Sequence, residues 1–197
     1  MIKKLFFILN IFFIYFFSAN ASLADLQKKI INKLIGTKTL SFNFEQKISG
    51  KEEVGNCFIK YPLLMKCNYK NLKQKTIISN GKTVAVIKKK YKKIYLYPLK
   101  STPLFFILKK EKIINLISKT QPTEISSNLI IFKFIDKKKN IIKILFDKNS
   151  LDLKGWQTKD AYSNDVNFII NDLKINNIKV NEIIDDEFFT IPKEEDL

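Results

Sequence analysis

The sequence predicts a mainly β, α+β domain: an antiparallel meander or barrel of about ten strands, one helix before it and helices inserted at its middle. Three observations carry this. Leu40, Phe42 and Phe44 alternate with polar residues, the period of a strand buried on one face, and strand-length apolar stretches recur to Ile87 and again from Leu129 to Ile175. Short polar, Gly- or Pro-bearing segments separate these stretches, which suits antiparallel neighbours. No strand–helix–strand rhythm appears, so a parallel sheet is excluded.

The elements follow in order. Lys3 and Lys4 precede an apolar run from Leu5 to Phe17, broken only by Asn10, and Ala19-Asn20-Ala21 follows. That is a secretory signal peptide, with cleavage expected after Ala21. Thirteen helical residues span about 20 Å, short of the roughly 30 Å hydrocarbon core of a bilayer. No cysteine stands at the cleavage site, so the exported chain is expected to be unanchored. Residues 22–197 suit one domain with a full core. Leu23, Leu26, Ile30, Ile31 and Leu34 recur at helical spacing up to Gly36. Leu40, Phe42 and Phe44 then alternate with polar residues as a first strand. Gly50–Glu53 reads as a turn, Val54–Tyr61 and Leu64–Lys70 as strands joined at Pro62, and Lys75–Ser79 and Thr83–Ile87 as a pair closed by Asn80-Gly81. Ile94–Tyr97 extends the meander.

Thr102-Pro103 offers an N-cap and a proline at a first helical position, opening one or two helices from Pro103 to Ser118. Strands resume at Leu129–Ile135 and Ile141–Phe146 around the polar turn Asp136–Asn140, then at Leu151–Thr158 and Val166–Ile175 around a turn near Asp160–Asn164. Phe188 and Phe189 sit in a tail of short turn and extended chain.

Composition narrows the function. The chain carries 35 lysines against 19 acids and no arginine, for a net charge of +16. Without Lys3 and Lys4 it is +14. Phosphate recognition favours arginine's planar fork, and no base-reading motif is present; the lysines read as a solvated surface in a lysine-, asparagine- and isoleucine-rich chain, not as a nucleic-acid site. Histidine is absent, which removes the commonest general base and the commonest transition-metal ligand. No phosphate loop, nucleophile elbow or metal-spaced acidic cluster appears. The composition therefore points away from an enzyme, and no cofactor or metal is implied.

Cys57 and Cys67 lie symmetrically about Pro62 and should face each other across the hairpin. In an oxidising compartment they either bridge or remain as adjacent buried thiols. A bridge would close a loop of about 11 residues, worth near 3 kcal/mol on the chain-entropy model. Either role is structural, because a redox pair usually has C-x-x-C spacing.

Phe44-Glu45-Gln46, Gly55 to Tyr69, Asn80-Gly81-Lys82, Ser101 to Leu104 and Phe188 to Pro192 form an ordered set of short motifs, and from about Leu23 to Pro192 this set resembles the LolA family of periplasmic lipoprotein carriers. Phe44-Glu45-Gln46 is similar to its F-x-Q. Gly55 to Tyr69, through Tyr61-Pro62, resembles its glycine, R-P and aromatic-strand stretch. Asn80-Gly81-Lys82 resembles its D-G-K hairpin, Ser101-Thr102-Pro103-Leu104 its T-P opening of the central helices, and Phe188 to Pro192 its terminal F-x-x-P.

The resemblance implies an incomplete antiparallel barrel of 10–11 strands whose apolar concave face is closed by a helical lid. It implies a monomeric carrier in the periplasm of a Gram-negative bacterium, taking acylated lipoproteins from an inner-membrane ABC transporter to an outer-membrane receptor or to the outer membrane itself. A lipid- or lipoprotein-sensing envelope protein on the same half-barrel is the alternative. Residues sharing one strand face are the expected acyl-chain groove: Leu40, Phe42, Phe44, Ile59, Tyr61, Met65, Cys67 and Tyr69. Leu104, Phe105 and Leu108 are expected in the lid, with Phe188 or Phe189 closing one end. The family's arginine before the proline is replaced by Tyr61, which has a hydroxyl to offer the lid but no charge. The family's strand tryptophan is replaced by Cys67.

Overall fold

A computed structural model describes residues 23–135, 139–160, 163–175 and 185–197. The expected signal peptide over residues 1–21 lies outside them, as do parts of the turns expected at Asp136–Asn140 and Asp160–Asn164. A helix over residues 23–36 (α1) opens the described chain. It buries Ile30 and Leu34, with Leu26 and Ile31 beside them, as their helical spacing requires.

Eleven strands follow: β1 (Thr39–Ile48), β2 (Lys51–Lys60), β3 (Leu64–Tyr69), β4 (Lys75–Asn80), β5 (Thr83–Lys88), β6 (Lys93–Pro98), β7 (Glu124–Ile125), β8 (Leu129–Ile135), β9 (Ile141–Asp147), β10 (Leu153–Lys159) and β11 (Asp165–Ile175). They form one antiparallel sheet in the order β6-β5-β4-β3-β2-β1-β11-β10-β9-β8-β7. β6 and β7 do not pair, so the sheet is open: an incomplete barrel. The helices α2 (Leu104–Leu108) and α3 (Lys110–Lys119) interrupt the strand series between β6 and β7. Among the described residues no helix is long and apolar enough to cross a membrane.

Local chemistry explains the boundaries. β1 and β2 are joined by Ser49 and Gly50 alone, with φ of 48° and 78°. Positive φ at both central residues matches the twist of a two-residue hairpin. The turn expected at Gly50–Glu53 is therefore shorter, and Glu52 and Glu53 stand on the ladder opposite Lys47 and Gln46. Asn80 Oδ1 accepts the amides of Lys82 (3.1 Å) and Thr83 (2.9 Å), and Gly81 takes φ 90°; this closes β4 on β5 as expected. Thr102 does not cap α2: its hydroxyl donates to the Leu99 carbonyl (2.9 Å). Lys109, at φ −97° and ψ 84°, separates α2 from α3. β10 starts at Leu153 because Leu151 adopts φ 61°. The two-residue β7 left no periodic signal.

Two hydrophobic clusters lie on opposite faces of the sheet. The larger fills the inner face under the helices. The smaller, on the outer face of β4 and β5, joins Ile78, Ala85 and Ile87 to Phe189, with Phe58, Leu64, Ile94, Ile191 and Leu197 against it. The C-terminal segment thus packs on the outer face.

Candidate functional site

The inner face is assembled by register. Successive strand residues point to opposite sides, so Leu40, Phe42 and Phe44 of β1 share a face. Pairing sets Leu40 beside Ile59 and Met65, Phe42 beside Cys57 and Cys67, and Phe44 beside Gly55 and Tyr69. All of these except Gly55 belong to the inner cluster. Gly55 is required by packing: a Cβ there would meet the Asn68 carbonyl and come within 2.7 Å of Phe44 Cζ. The Phe44 ring occupies the space a side chain would fill.

The apolar face continues onto strands that sequence reasoning did not select. Phe44 stacks on Phe168 at 4.6 Å and meets Tyr69 edge-on at 4.8 Å; Phe168 stacks on Trp156 at 4.1 Å. This aromatic row crosses β3, β1, β11 and β10. Beyond it lie Ile144, Phe146, Phe132 and Ile130, all buried. The alternation of Phe168 and Ile170, or of Phe132 and Phe134, was visible in the sequence, but it names two faces without saying which is inner.

A polar network seals one end of the row. Tyr69 donates its hydroxyl proton to Gln46 Oε1 (2.9 Å), and Asn71 Nδ2 donates to Glu53 Oε1 (2.9 Å). Lys75 pairs with Glu53 and lies 3.7 Å from the Tyr69 ring centre. Burial, then the nearby Glu53 charge, pushes the Tyr69 hydroxyl well above its ordinary pKa. Burial pulls Lys75 down despite its bond to Glu53.

The helices cover the middle of the face. Of the expected lid residues, Leu108 is fully buried, whereas Leu104 and Phe105 are partly buried. Phe105 lies at the margin, with Lys109 and Lys112 ammonium groups 5.8 and 5.3 Å from its ring centre. The deeper contacts come from Phe106, Ile107, Ile113, Leu116 and Ile117, and Phe106 stacks on Phe134 at 4.3 Å. Few polar bonds tie the helices down. Leu63 N donates to Leu108 O (3.0 Å), and Gln27 Nε2 donates to the carbonyls of Ile117 and Thr120 (each 2.7 Å). Lys110 Nζ donates to the carbonyls of Ile35 (3.1 Å) and Thr37 (2.7 Å), at the C-terminal end of α1, where a cation is favoured.

Tyr61 differs from expectation. Its backbone N donates to Lys38 O (2.9 Å), but its buried hydroxyl has no hydrogen-bond partner among the described residues. Burial drives that hydroxyl far above its ordinary pKa. The ammonium group that crosses from lid to α1 belongs instead to Lys110, 5.6 Å from the Tyr61 ring centre. Beside Tyr61 is a crevice of about 10 Å³, bounded by Leu34, Leu40, Leu153 and Leu173 among others. Such a space holds at most one water.

Phe188 and Phe189 do not close the inner face. Phe189 is buried in the outer cluster, Phe188 meets Phe58 edge-on at 6.0 Å, and Asp186 pairs with Lys60 at 2.7 Å. Cys57 and Cys67 are direct register partners with Cα atoms 4.1 Å apart, joined as a disulfide in the structure. Among the described residues no group of three or more His, Cys, Asp or Glu side chains converges as a metal site would require.

Similar folds include a LolA superfamily protein from Nitrosomonas europaea, at 8% identity and a TM-score of 0.45, with 86% of this chain and 97% of that one covered. A putative outer membrane lipoprotein-sorting protein domain from Vibrio parahaemolyticus is similar at 8% identity and a TM-score of 0.43, covering 78% and 92%. The MucA/MucB complex of Pseudomonas aeruginosa contains a similar chain at 8% identity and a TM-score of 0.48, covering 88% of this chain and 62% of that one. No curated protein matches the sequence. The model of the family described as outer membrane lipoprotein carrier protein LolA matches residues 36–192, most of the chain and every element from β1 to the C-terminal turn, and the protein belongs to that family.

Proposed function

We propose that this protein carries acylated lipoproteins through the periplasm of a Gram-negative bacterium, accepting them from an inner-membrane ABC exporter and delivering them to an outer-membrane receptor or to the membrane itself. The observation that supports this reading is the inner face. It is a continuous apolar surface, covered by two short helices held by few polar bonds.

The energetics favour displacement over insertion. An acyl chain in water costs about 0.8 kcal/mol per CH₂, so a 16-carbon chain carries a cost above roughly 10 kcal/mol. Phe106, Ile107 and Leu108 are buried against that surface, so the acyl chain takes their place and that of their neighbours on it. Cargo and lid compete, and that competition keeps binding reversible. Met65, flexible and polarisable, suits a surface that repacks against varied acyl chains. Exchange of one apolar cover for another needs no catalytic group or cofactor, and a monomer suffices.

Mass spectrometry of the protein purified from its own periplasm tests the reading. Retained acylated lipoprotein, enriched when the Lys110 bonds to α1 are removed, is the expected result. Recovery of neither lipoprotein nor lipid, from the native protein and from every lid variant, rejects it.

A further inference from the structure

The edge strand β6 carries features for which the inner face has no use. From Val54 to Lys110 the chain has 14 lysines and no acidic residue. Six of those lysines, Lys88, Lys89, Lys90, Lys92, Lys93 and Lys100, surround β6 and its approach. None of the six forms an ion pair among the described residues. Interleaved with them are Tyr91, Tyr95, Leu96 and Tyr97, exposed to 53%, 43%, 61% and 45%. These are four of the eleven exposed large apolar residues described, gathered within seven positions. Surface apolar residues scattered singly need no explanation; a cluster does.

The register places this cluster on both sides of a free edge. Tyr95 and Tyr97 stand opposite Val86 and Val84, and Leu96 opposite Ala85, so the tyrosines project from one face and Leu96 from the other. Among the described residues β6 pairs only with β5. Tyrosine has an apolar ring and a polar tip, and lysine a long apolar stem with a charged end; both settle where hydrocarbon meets headgroups.

We propose that this edge docks the protein on a leaflet containing anionic phospholipid, with Tyr91, Tyr95, Leu96 and Tyr97 at headgroup depth and the surrounding lysines on lipid phosphates. An added protein strand fits less well. The amide of Ile94, at the start of β6, already donates to Glu194 Oε1 (2.9 Å), so strand addition would have to displace the C-terminal segment. β6 runs through the short turn Leu99–Ser101 directly into α2, and Leu99 is anchored in the inner core. The docked edge therefore adjoins the base of the lid.

Sedimentation with vesicles of phosphatidylcholine plus phosphatidylglycerol, against phosphatidylcholine alone, tests the proposal. Binding is expected only to the anionic vesicles and weakens with salt. A triple variant K89E/K90E/K92E loses on the order of a hundredfold in partitioning, since each lysine near an anionic surface contributes about fivefold. A second variant, Y91S/L96S, weakens binding without changing charge. The control K28E/K119E/K148E reverses the same number of exposed charges away from the edge and retains most binding. Three results overturn the proposal: no binding to anionic vesicles at low salt, equal losses in the edge and control triples, or an edge triple that loses only a protein partner. Acyl-probe binding by the inner face, measured on the same proteins, stays unchanged in the edge variants. Its absence from the native protein would reject the carrier reading and leave the vesicle result standing.

Discussion

Replacing Tyr61 with phenylalanine should stabilise the closed protein. The Tyr61 hydroxyl is buried without a partner among the described residues, and leaving such a group unsatisfied costs about 1–3 kcal/mol. Phenylalanine keeps the ring in contact with the inner cluster and removes only the oxygen. The neighbouring crevice of about 10 Å³ grows slightly, which offsets a few tenths of the gain. A net of about 1–2 kcal/mol corresponds to a rise of roughly 2–8 °C in Tm for a domain of this size. Trp156, the single tryptophan, is buried and stacked on Phe168, and its fluorescence reports urea unfolding directly. If the hydroxyl regains water when the lid lifts, the same substitution penalises opening, and acyl-probe affinity falls about tenfold for 1.4 kcal/mol. A fall in Tm, or tighter acyl binding by Y61F, would show that the hydroxyl has a partner and refute the reasoning.

Other substitutions separate the parts of the account. Lys110→Met removes both bonds to the Ile35 and Thr37 carbonyls; because the group is partly exposed, the loss is about 1 kcal/mol, read as faster hydrogen exchange in α3 and faster acyl binding. Gly55→Ala forces a Cβ against Asn68 O and the Phe44 ring and should cost about 1–3 kcal/mol or more, measured by denaturant unfolding. The double variant C57S/C67S should lose about 3 kcal/mol on the loop-closure model; unchanged stability, or native protein indifferent to reductant, would argue against a bridge in solution. Phe189→Ala should destabilise by about 3–5 kcal/mol yet leave acyl binding by the surviving folded fraction intact, since Phe189 packs on the outer face.

The strands were legible because their burial is one-sided. Leu40, Phe42 and Phe44 announce a half-buried strand, and symmetry about Pro62 placed Cys57 opposite Cys67. The groove residues taken from β1 to β3 do share one face. The half built by Trp156, Phe168, Ile144 and Phe132 went unselected, because alternation fixes a pair of faces and only tertiary packing decides between them. The tail packs on the face opposite to the expected one for a related reason. Ile77-Ile78 and Ala85-Val86-Ile87 are unbroken apolar runs, the pattern of strands covered on both faces, and Phe189 supplies the outer cover. Lys110 left no trace in the pattern. Its role depends on a long side chain reaching carbonyls 73 and 75 positions earlier, which one-dimensional spacing does not encode.

The central claim is that an acyl chain replaces the lid on the inner face. Photo-crosslinking from single photoreactive side chains tests it most directly, at Ile59 on the sheet and Ile107 on the buried side of the lid, with Phe189 on the outer face as reference. The account predicts adducts with acylated lipoprotein from positions 59 and 107 and none from 189. Adducts from 189 alone, or acyl binding without crosslinks from either inner position, would contradict it.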